Sequence, residues 1–526
     1  MHFDILLKGG SLIDGAHEHS VPRKVDLGIK NDRIAAIGEI PESSAEKIID
    51  AQGLYITPGF IDTHGHSEFT LLADGRAEGK ISQGITTEIN GNCGLSASPL
   101  RGHAREQRTS EFEELNIHDQ WDSFSEYFGL LRKKGIALNF LTLVGHGNLR
   151  GSAIGYEDRQ LSDDDRKNIF NLLKTSLDAG AIGLSTGLVY PPGVFARPPE
   201  IIGLAQATQK MGGRIYTTHM RSEGDELLEA IDEALKVGFE SSIPVHISHL
   251  KTSEERNWGK LGKALKKIHE ARQSGLTLTC DRYPYTAAST SLDSVLPAWV
   301  FEGGKREELR KIQNMQGKIE DDIHRTHPEE SYWDSVTVSK VKKKKSKWME
   351  GMSISEIARR SERNPLQSLF HILIEEELDV DAIFFSMSED NLETILRCSY
   401  TVIGTDSAAR SFQGITATGK PHPRGFGSFP RVLGRYVREK GIISLEESIY
   451  KMTGLPAKIF GIEKRGILKV GYFADITVFD PRSILDTADF GNPFQRPVGI
   501  HHVFVNGAPV MIHEEITGSL PGRVLN

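Results

Sequence analysis

His64 and His66 flank Gly65 at the end of an apolar run that begins at Ile56. Side chains alternate between the two faces of an extended strand, so residues two apart project to the same side and two imidazoles can converge on one cation. A single His-x-His pair is weak evidence, because many histidines are ordinary hydrogen-bonded residues of intermediate burial. The pair therefore indicates a metal site only if other parts of the chain supply further ligands.

Four more side chains able to bind a metal lie in or at the ends of predicted strands. Cys93 lies in Gly91-Asn-Cys-Gly94, and His219, His249 and Asp406 each end a β-rich run. A free cysteine is commonly a small buried hydrophobe, so Cys93 by itself would indicate little. Thiolate and neutral imidazole suit zinc, however, and a carboxylate can either ligate zinc or hold the attacking water. Together with the His-x-His pair these residues predict a zinc centre.

Two further histidines, His246 and His146, lie near the predicted ligands in sequence or at a strand end and must be assigned a role. His246 and His249 are three residues apart, so an extended strand sends their side chains to opposite faces and only one can reach the metal. His249 is nearer the strand end and is the predicted ligand, whereas His246 is expected to pack or to support a ligand. His146 lies between Gly145 and Gly147, and its expected role is either a contact near the metal or substrate or a structural hydrogen bond.

The elements that must position these ligands alternate between strand and helix patterns. Such alternation is typical of a parallel sheet with crossover helices and predicts an α/β fold of the (β/α)8 barrel type. Ala382–Met387 is the extra among nine strand candidates for eight barrel places. Apolar residues recurring with a period near 3.6 predict helices at 163–178, 199–211, 224–237 and 261–274.

The two ends of the chain contain short strands separated by turns. We expect residues 1–57 and 456–526 to form one small β-sandwich around a barrel at 58–455, because neither end has enough surface for its own core. A long insertion at about 295–360 breaks the barrel pattern. Its basic run Val341–Lys347 fits an acidic partner or the solvated part of a helical insertion, and we favour the latter. The insertion could form a lid.

Composition narrows the function class. The 526 residues include 63 Lys plus Arg against 71 Asp plus Glu, a formal charge of −8, which argues against nucleic acid or an anionic membrane as a partner and favours a small substrate. No apolar stretch approaches the roughly 20 residues of a membrane span, and no secretory signal pattern is seen. We therefore expect a cytoplasmic protein. Three cysteines, Cys93, Cys280 and Cys398, are too few for a disulfide framework.

An ordered set of motifs runs along the chain: Gly59-Phe-Ile-Asp-Thr-His-Gly-His66, Gly91-Asn-Cys-Gly94, Thr218-His-Met-Arg-Ser-Glu223, Ser248-His-Leu-Lys251, Asp281-Arg-Tyr-Pro-Tyr285, Gly404-Thr-Asp406, His422-Pro-Arg424 and Phe429-Pro-Arg-Val-Leu-Gly434. The set resembles the N-acyl-D-amino-acid deacylases (D-aminoacylases) of the amidohydrolase superfamily over nearly the whole chain. This resemblance also implies a (β/α)8 barrel, a β-sandwich built from both termini and an insertion late in the barrel.

The resemblance implies a division of the metal ligands. Cys93, His219 and His249 would hold one zinc tightly. His64, His66 and Asp406 would form a second, weaker metal position. Many relatives in the superfamily use a carboxylated lysine as the bridging ligand, and the cysteine replaces it in this branch.

The resemblance also implies that Tyr190, Lys251 and Arg424 hold the substrate carboxylate. Tyr283 would be a direct contact as well, and the segment through Tyr285 would line the same pocket together with Ser289 and Thr290. This chain departs from the family pattern between Asp406 and Arg424, where a longer segment carries Arg410.

The implied activity is zinc-dependent hydrolysis of N-acyl-D-amino acids, with Asp406 taking the proton of the attacking water and passing it to the departing amine. The rivals are a cyclic-amide hydrolase of the dihydroorotase or hydantoinase kind, a dipeptidase, and a barrel without catalysis that serves as a scaffold. A carboxylated lysine is usual in the cyclic-amide group, so Cys93 favours the deacylase. The preferred side chain and acyl group, the D preference apart from the resemblance, and the oligomeric state stay open.

Overall fold

The computed structural model describes residues 2–525. Its strands are, in chain order, β1 (Phe3–Leu12), β2 (Arg23–Lys30), β3 (Arg33–Gly38), β4 (Ala45–Asp50), β5 (Tyr55–Pro58), β6 (Phe60–Asp62), β7 (Ile85–Asn90), β8 (Asn139–Thr142), β9 (Val144–Gly145), β10 (Gly183–Gly187), β11 (Ile215–His219), β12 (Val245–Ile247), β13 (Leu278–Arg282), β14 (Ala288–Ser291), β15 (Val336–Val341), β16 (Val380–Phe384), β17 (Thr401–Ile403), β18 (Ile476–Phe479), β19 (Ile500–Val505), β20 (Ala508–Ile512) and β21 (Glu515–Ile516).

The α-helices are α1 (Thr70–Ala73), α2 (Glu78–Ile81), α3 (Gly102–Glu106), α4 (Thr109–Glu114), α5 (Phe124–Lys134), α6 (His146–Ala153), α7 (Asp163–Asp178), α8 (Pro198–Lys210), α9 (Leu227–Ser241), α10 (Leu261–Gln273), α11 (Lys305–Asn314), α12 (Gln316–Thr326), α13 (Ile354–Arg360), α14 (Pro365–Glu375), α15 (Glu389–Arg397), α16 (Arg424–Arg431), α17 (Leu445–Met452) and α18 (Gly454–Ile459). The four predicted helices correspond to α7–α10. Ser162 is the N-cap of α7 and forms a capping box. Its side chain accepts from the backbone nitrogen of Asp165, and the carboxylate of Asp165 accepts from the backbone nitrogen of Ser162.

Parallel strands form two sheets. One has the order β6-β7-β8 and the other β17-β13-β12-β11-β10-β9. Leu143 alone separates β8 from β9, and Gly65 and Ser407, which follow β6 and β17, form a parallel bridge. The strands are almost entirely buried, as expected of parallel strands covered on both faces. The carboxyl ends of β6 and β17 are thereby held side by side.

The segment chosen as the surplus strand candidate, Ala382–Met387, lies outside these sheets. Its residues begin within β16, which pairs antiparallel with β14 and with β15. The expectation that it lies outside the parallel set is confirmed by this pairing. The other eight candidates contribute strands to the two parallel sheets.

Both ends of the chain meet in one nine-stranded sheet, ordered β21-β20-β19-β18-β5-β1-β2-β3, with β4 also paired to β1. The connection between the ends is the antiparallel pair of β18 and β5, in which Thr477 faces Thr57. Leu7, Ile56 and Phe504 belong to the buried apolar cluster of this sheet. Burial of apolar side chains from both ends explains why the two short sets of strands associate.

The insertion between β13 and β17 has an apolar core of its own, which includes Trp333, Val338 and Leu369. The basic run Val341–Lys347, expected in a helical insertion, instead ends β15 and enters a 3-10 turn. Val336, Val338 and Val341 are buried and face this core, which selects a strand over a helix. Lys343, Lys345 and Lys347 pair with Glu377, Glu375 and Glu350 of the same insertion, and Lys342 pairs with Asp379 and with Glu113 outside it.

Within residues 2–525, no helix has the combination of length and apolar character needed to cross a membrane.

Candidate active site

The six side chains predicted to bind metal converge at the carboxyl ends of the parallel strands. His64 and His66 follow β6, Cys93 follows β7, His219 ends β11, His249 follows β12 and Asp406 follows β17. Parallel α/β enzymes place their chemistry at this end of the strands. The chain segments that carry these ligands are far apart in sequence, so only the sheet brings them together.

The ligand atoms form two sets that share Cys93. One set is His64, His66, Cys93 and Asp406, the other is Cys93, His219 and His249, and the ligand atoms within each set lie within 4.8 Å of one another. Cys93 Sγ is 3.2 Å from His64 Nε2 and 3.5 Å from His249 Nε2. The thiol therefore stands between the two sets, where it can serve both.

Three of these ligands have an unusual backbone. Cys93, His249 and Asp406 have φ values of 53°, 35° and 50°, in the left-handed region that non-glycine residues seldom adopt. Such conformations cost about 1–3 kcal/mol each and cluster at functional sites. Gly94 allows this geometry at the cysteine, because a Cβ at that position would lie 2.6 Å from the backbone nitrogen of Gly187.

Carboxylates orient the imidazoles. His249 Nδ1 is 2.8 Å from Glu223 Oε1, and His64 Nδ1 is 3.0 Å from Asp281 Oδ2. A carboxylate at Nδ1 keeps the proton there and leaves the Nε2 lone pair free for a metal. Within residues 2–525, His219 Nδ1 is buried without a hydrogen-bond partner, so it also offers a free nitrogen. This donor set fits zinc.

The charges at the site shift the pKa values of its thiol and of one carboxyl toward the anionic forms. Burial alone would raise the pKa of the Cys93 thiol, but the imidazoles of His64 and His249 lower that pKa well below its ordinary value. Burial also opposes ionisation of Asp406, whereas the Arg424 guanidinium and the His249 ring lower the pKa of the carboxyl well below its usual range. These directions favour the anionic forms of Cys93 and Asp406, and despite burial the same negative groups raise the pKa of His66 and of His249 to about 9.

His246 and Asp281 lie behind the ligands. His246 Nε2 is 2.9 Å from Asp281 Oδ2, and its Nδ1 is 2.8 Å from Thr279 Oγ1. The backbone nitrogen of His249 also donates to Asp281, at 2.8 Å. The structure thus separates the two histidines as predicted, but His249 lies after β12 with a left-handed backbone, so the alternation of an extended strand is not the cause. Asp281 and Glu223 were missed as orienting residues, and their positions inside the quoted motifs were the available signal.

His146 takes the structural alternative. Its Nε2 is 2.8 Å from Glu200 Oε1, and the other oxygen of Glu200 is 2.7 Å from Arg150 Nη1. Among the contacts recorded for residues 2–525, none joins His146 to a metal-ligating side chain.

The predicted substrate residues surround the same ligands. Tyr190 packs edge-on to His219 with ring centroids 4.9 Å apart. Arg424 places its guanidinium carbon 4.6 Å from the Tyr283 ring centroid, and Lys251 places Nζ 5.9 Å from it. Arg424 Nη1 is also 2.9 Å from Asp406 Oδ2.

The remaining polar groups of this area are more varied. In the part of the chain that the structure describes, the buried Tyr283 hydroxyl has no hydrogen-bond partner. Arg424 Nη2 donates to the backbone oxygen of Ser289 at 3.2 Å. Tyr285, expected to line the pocket, instead directs its hydroxyl to Asp486 at 3.3 Å, because the backbone turns between Tyr283 and Tyr285.

Two cavities open onto the ligands and share Tyr190, His249, Ser289, Thr290 and Asp406. The first, here the Arg410 cavity, has a volume of about 470 Å³ and is lined by polar side chains that include Asn148, Arg410 and Arg424. The second, here the Trp299 cavity, has a volume of about 750 Å³ and is lined by residues that include Lys251, Tyr283, Leu296, Trp299 and Phe384. Both cavities reach the centre at which a scissile bond would lie.

The sequence model of the amidohydrolase family matches residues 47–282 and 397–511. The chain belongs to the amidohydrolase family. It is 37% identical to a D-aminoacylase of Alcaligenes xylosoxydans xylosoxydans over 99% of this chain and 97% of that protein. An N-acyl-D-glutamate deacylase of the same organism is 35% identical, over 99% and 96% of the two chains.

Solved structures agree with this membership. N-acyl-D-glutamate deacylase from Bordetella bronchiseptica, complexed with zinc and a phosphonate inhibitor, superposes with a TM-score of 0.85 at 32% identity, covering 100% of both chains. A crystal structure of D-aminoacylase gives a TM-score of 0.83 at 35% identity with the same coverage. The family resemblance inferred from the motifs is confirmed. The segment between the two matched ranges contains the insertion.

Proposed function

We propose that this protein is a zinc-dependent hydrolase of N-acyl-D-amino acids, releasing a carboxylate and a free D-amino acid. The observation that carries the proposal is the convergence of a thiol, four imidazoles and a carboxylate beside Lys251 and Arg424. The assignment to the D series is supported by the names of the similar proteins.

Cys93, His219 and His249 would hold the tightly bound zinc. His64, His66 and Asp406 would hold a second, weaker zinc. When bound, zinc acts as a Lewis acid toward a carbonyl and lowers the pKa of a bound water toward neutrality. The presence of Cys93 Sγ between the two ligand sets favours a deacylase over a cyclic-amide hydrolase, in which a carboxylated lysine is the usual bridge.

Asp406 is the proposed proton carrier. Despite burial, Arg424 and His249 hold the pKa of its carboxyl well below the usual range, which favours the carboxylate form that would accept the proton of the water whose oxygen attacks the acyl carbon. The carbon–nitrogen bond then breaks, and the same carboxyl returns the proton to the nitrogen, because an amine leaves poorly unless it is protonated. Arg424 contacts Asp406 Oδ2, which leaves Oδ1 near His66 for the transfer.

Lys251, Arg424 and Tyr283 are the proposed anchors of the substrate α-carboxylate, with Tyr190 and Ser289 beside them. Lys251 and Arg424 lie against one aromatic ring, beside a hydroxyl that is buried and free in the region the structure describes. Lys251 also pairs with Glu223 and Arg424 with Asp406, so the substrate carboxylate would share these two cations with them. Arg424 contacts both this site and Asp406, so carboxylate binding and proton transfer share one guanidinium.

The side chain of the D-amino acid is proposed to enter the Trp299 cavity. Lys251 and Tyr283 line this cavity, and the side chain of an amino acid leaves the carbon next to its carboxylate. Leu296, Trp299 and Phe384 supply an apolar wall. The acyl group would then extend into the polar Arg410 cavity.

The charges of the Trp299 cavity argue for a neutral substrate side chain. In the described structure each of its guanidinium groups is paired with a carboxylate: Arg221 with Glu233, Arg256 with Asp225 and Arg325 with Asp322. An acidic side chain would therefore meet apolar surface and cations that are already neutralised. We propose apolar N-acyl-D-amino acids as substrates, in preference to the D-glutamate and D-aspartate derivatives.

The architecture that supports this function is proposed to be one closed eight-stranded barrel, in which β8 and β9 count as one strand. The single residue between β8 and β9 and the bridge between Gly65 and Ser407 support closure on both sides. The terminal sheet is proposed to fold as a β-sandwich, because β1 pairs with β4 before Gly9 and with β5 after Gly10. The proposed domain ranges remain 1–57 with 456–526, and 58–455.

A substrate panel tests the function. Purified zinc-loaded protein is assayed for amine release from N-acetyl derivatives of D- and L-leucine, methionine, phenylalanine, glutamate and aspartate, with hydantoin and dihydroorotate as ring-opening probes. We expect turnover of the D series, with leucine, methionine and phenylalanine at least tenfold above glutamate and aspartate in kcat/KM. Turnover of the L series alone, or of the rings alone, would contradict the proposed function. A preference for D-glutamate would contradict only the assignment of side-chain class.

A further inference from the structure

A lysine lies fully buried beneath the candidate site, although the proposed reaction does not use it. Lys80 is on the short helix α2 and its side chain is inaccessible to solvent. Lysine is almost never fully buried unless its charge is paired. The partners of Lys80 therefore indicate what its burial accomplishes.

Lys80 Nζ joins three separate parts of the chain. It is 2.6 Å from Asp62 Oδ2 at the end of β6 and 2.7 Å from Glu88 Oε1 on β7. It also donates to Thr405 Oγ1 at 2.6 Å and to the backbone oxygen of Ser407 at 2.9 Å, both after β17. One ammonium group thus ties β6, β7 and the segment after β17 together.

These partners adjoin the residues of the weaker metal position. Asp62 comes two residues before His64, and Thr405 and Ser407 lie on either side of Asp406. Asp62 Oδ1 accepts from the backbone nitrogens of His64 at 3.1 Å and of Thr405 at 2.9 Å. The network therefore hydrogen-bonds to the backbone of both segments that carry this ligand set.

The network extends directly to the ligand segments. The backbone nitrogen of Asp406 donates to the backbone oxygen of His64 at 2.8 Å, and that of His66 donates to Ser407 at 3.2 Å. Ser67 Oγ donates to Glu88 Oε1 at 2.7 Å and accepts from the backbone nitrogen of Ala409 at 2.6 Å. Asp406 also has the left-handed backbone already described, which surrounding structure must hold in place.

We infer that Lys80, acting through Asp62 and Thr405, is a positioning residue that holds His64, His66 and Asp406 in register for the second metal and for proton transfer. This inference rests on the proposed function for the role of Asp406 in turnover. Its metal-binding part stands separately. Cys93, His219 and His249 have no contact with the ammonium group in the described chain, so the tight site should be affected much less.

The mildest test is a matched pair at Thr405. Thr405→Val removes the hydroxyl that accepts from Lys80 and donates to Asp62 at 2.7 Å, and it leaves a side chain of similar shape. Thr405→Ser retains the hydroxyl. We expect Thr405→Val to lower kcat about tenfold with KM within threefold of the parent, and to weaken the second zinc about tenfold in competition with a chelator. Thr405→Ser should stay within twofold in both measurements.

Lys80→Gln gives the larger effect. We expect one zinc per chain to remain after dialysis, binding of the second zinc to fall at least tenfold and kcat to fall about 100-fold. If Lys80→Gln does not fold, which a thermal melt reports, the Thr405 pair decides. Equal behaviour of Thr405→Val and Thr405→Ser would overturn the inference, and so would equal weakening of the two zinc sites in a folded Lys80→Gln. If the parent protein turns over no N-acyl-amino acid, the proposed function fails and the zinc competition still decides the metal-binding part.

Discussion

The parallel strands and the insertion contribute different residues to the candidate site: the strands carry the metal ligands, and the insertion lines one cavity. Every candidate metal ligand follows or ends a parallel strand, within ranges that the family model matches. The insertion lies between those ranges, has its own apolar core and supplies Trp299 and Phe384 to one cavity. The comparison indicates that strand ends position the chemistry, while an insertion with its own apolar core shapes what can approach it.

The difference also teaches where substitutions should act. Ligands held at strand ends are backed by buried polar networks such as Asp281 with His246 and Asp62 with Lys80. Changes there should affect metal binding or kcat for every substrate. Changes in the insertion should instead alter the choice among substrates.

The largest effect is expected at the shared ligand. Cys93→Ala should release the tightly bound zinc and lower kcat/KM about 1,000-fold or more, because the thiolate is the ligand common to both sets. Metal analysis after dialysis, together with the amine-release assay, checks this. Cys280→Ala is the matched control. Cys280 is buried against Thr401 and is not a candidate ligand, so this variant should retain the zinc of the parent protein. Full zinc retention in Cys93→Ala would remove it from the ligand set.

Asp406→Asn should keep the tight zinc while kcat falls about 1,000-fold, because the amide cannot take and return the proton. Zinc content and steady-state kinetics are measured on the same preparation. Asp480→Asn, at a partly buried acidic residue paired with the exposed Arg482, is the control and should behave as the parent protein in both measurements. Activity of Asp406→Asn within tenfold of the parent would exclude the carboxylate from proton transfer.

A smaller and selective effect is expected in the insertion. Trp299→Ala should lower kcat/KM for N-acetyl-D-phenylalanine about 10- to 30-fold through lost apolar contact, and change that for N-acetyl-D-alanine less than threefold. Trp299→Phe retains most of the apolar surface and should lie between Trp299→Ala and the parent. An equal loss for both substrates would show that the insertion supports the site generally, and the contrast with the strand ends would fail.

The smallest effect on catalysis is expected in the terminal sheet. Burial, together with His513 and His501, lowers the pKa of His502 from 6.5 to about 4. At these pH values His502 binds fewer protons in the folded protein than in the unfolded chain. Its contribution to the free energy of unfolding is therefore complete above pH 6.5 and is lost as the pH falls toward 4. It should amount to about 2–3 kcal/mol.

His502→Asn cannot titrate in this range but retains an acceptor for the backbone nitrogen of His513. Thermal melts from pH 7.5 to 4 should show the parent losing more stability than the variant, with kcat at pH 7.5 unchanged. Parallel losses in the two proteins would mean that His502 becomes protonated in the folded state without cost.

Local pattern was sufficient for much of the fold and for the ligands. The spacing of His64 and His66 predicted that both reach one site, and the spacing of His246 and His249 predicted that only one of them does, which agrees with the structure. Alternation along a strand is not the reason, because His64 and His66 follow β6 and His249 follows β12. The helical periods of α7–α10 were visible because the geometry of a helix depends on neighbouring residues only. Metal-binding side chains at the ends of predicted strands were sufficient to indicate the metal centre.

Other features depended on residues brought together by the tertiary structure. β14 and β15 of the insertion were not predicted, because they are paired by β16 across long sequence separations, whereas the run Ala382–Met387 already indicated β16. Lys80 is indistinguishable in sequence from a surface lysine, and its role follows only from Asp62, Glu88 and Thr405 surrounding it. The sequence by itself determined which side chains could bind zinc, since residue type is a local property. Only the tertiary structure decided which charges are buried and paired, because that depends on the whole fold excluding water around them.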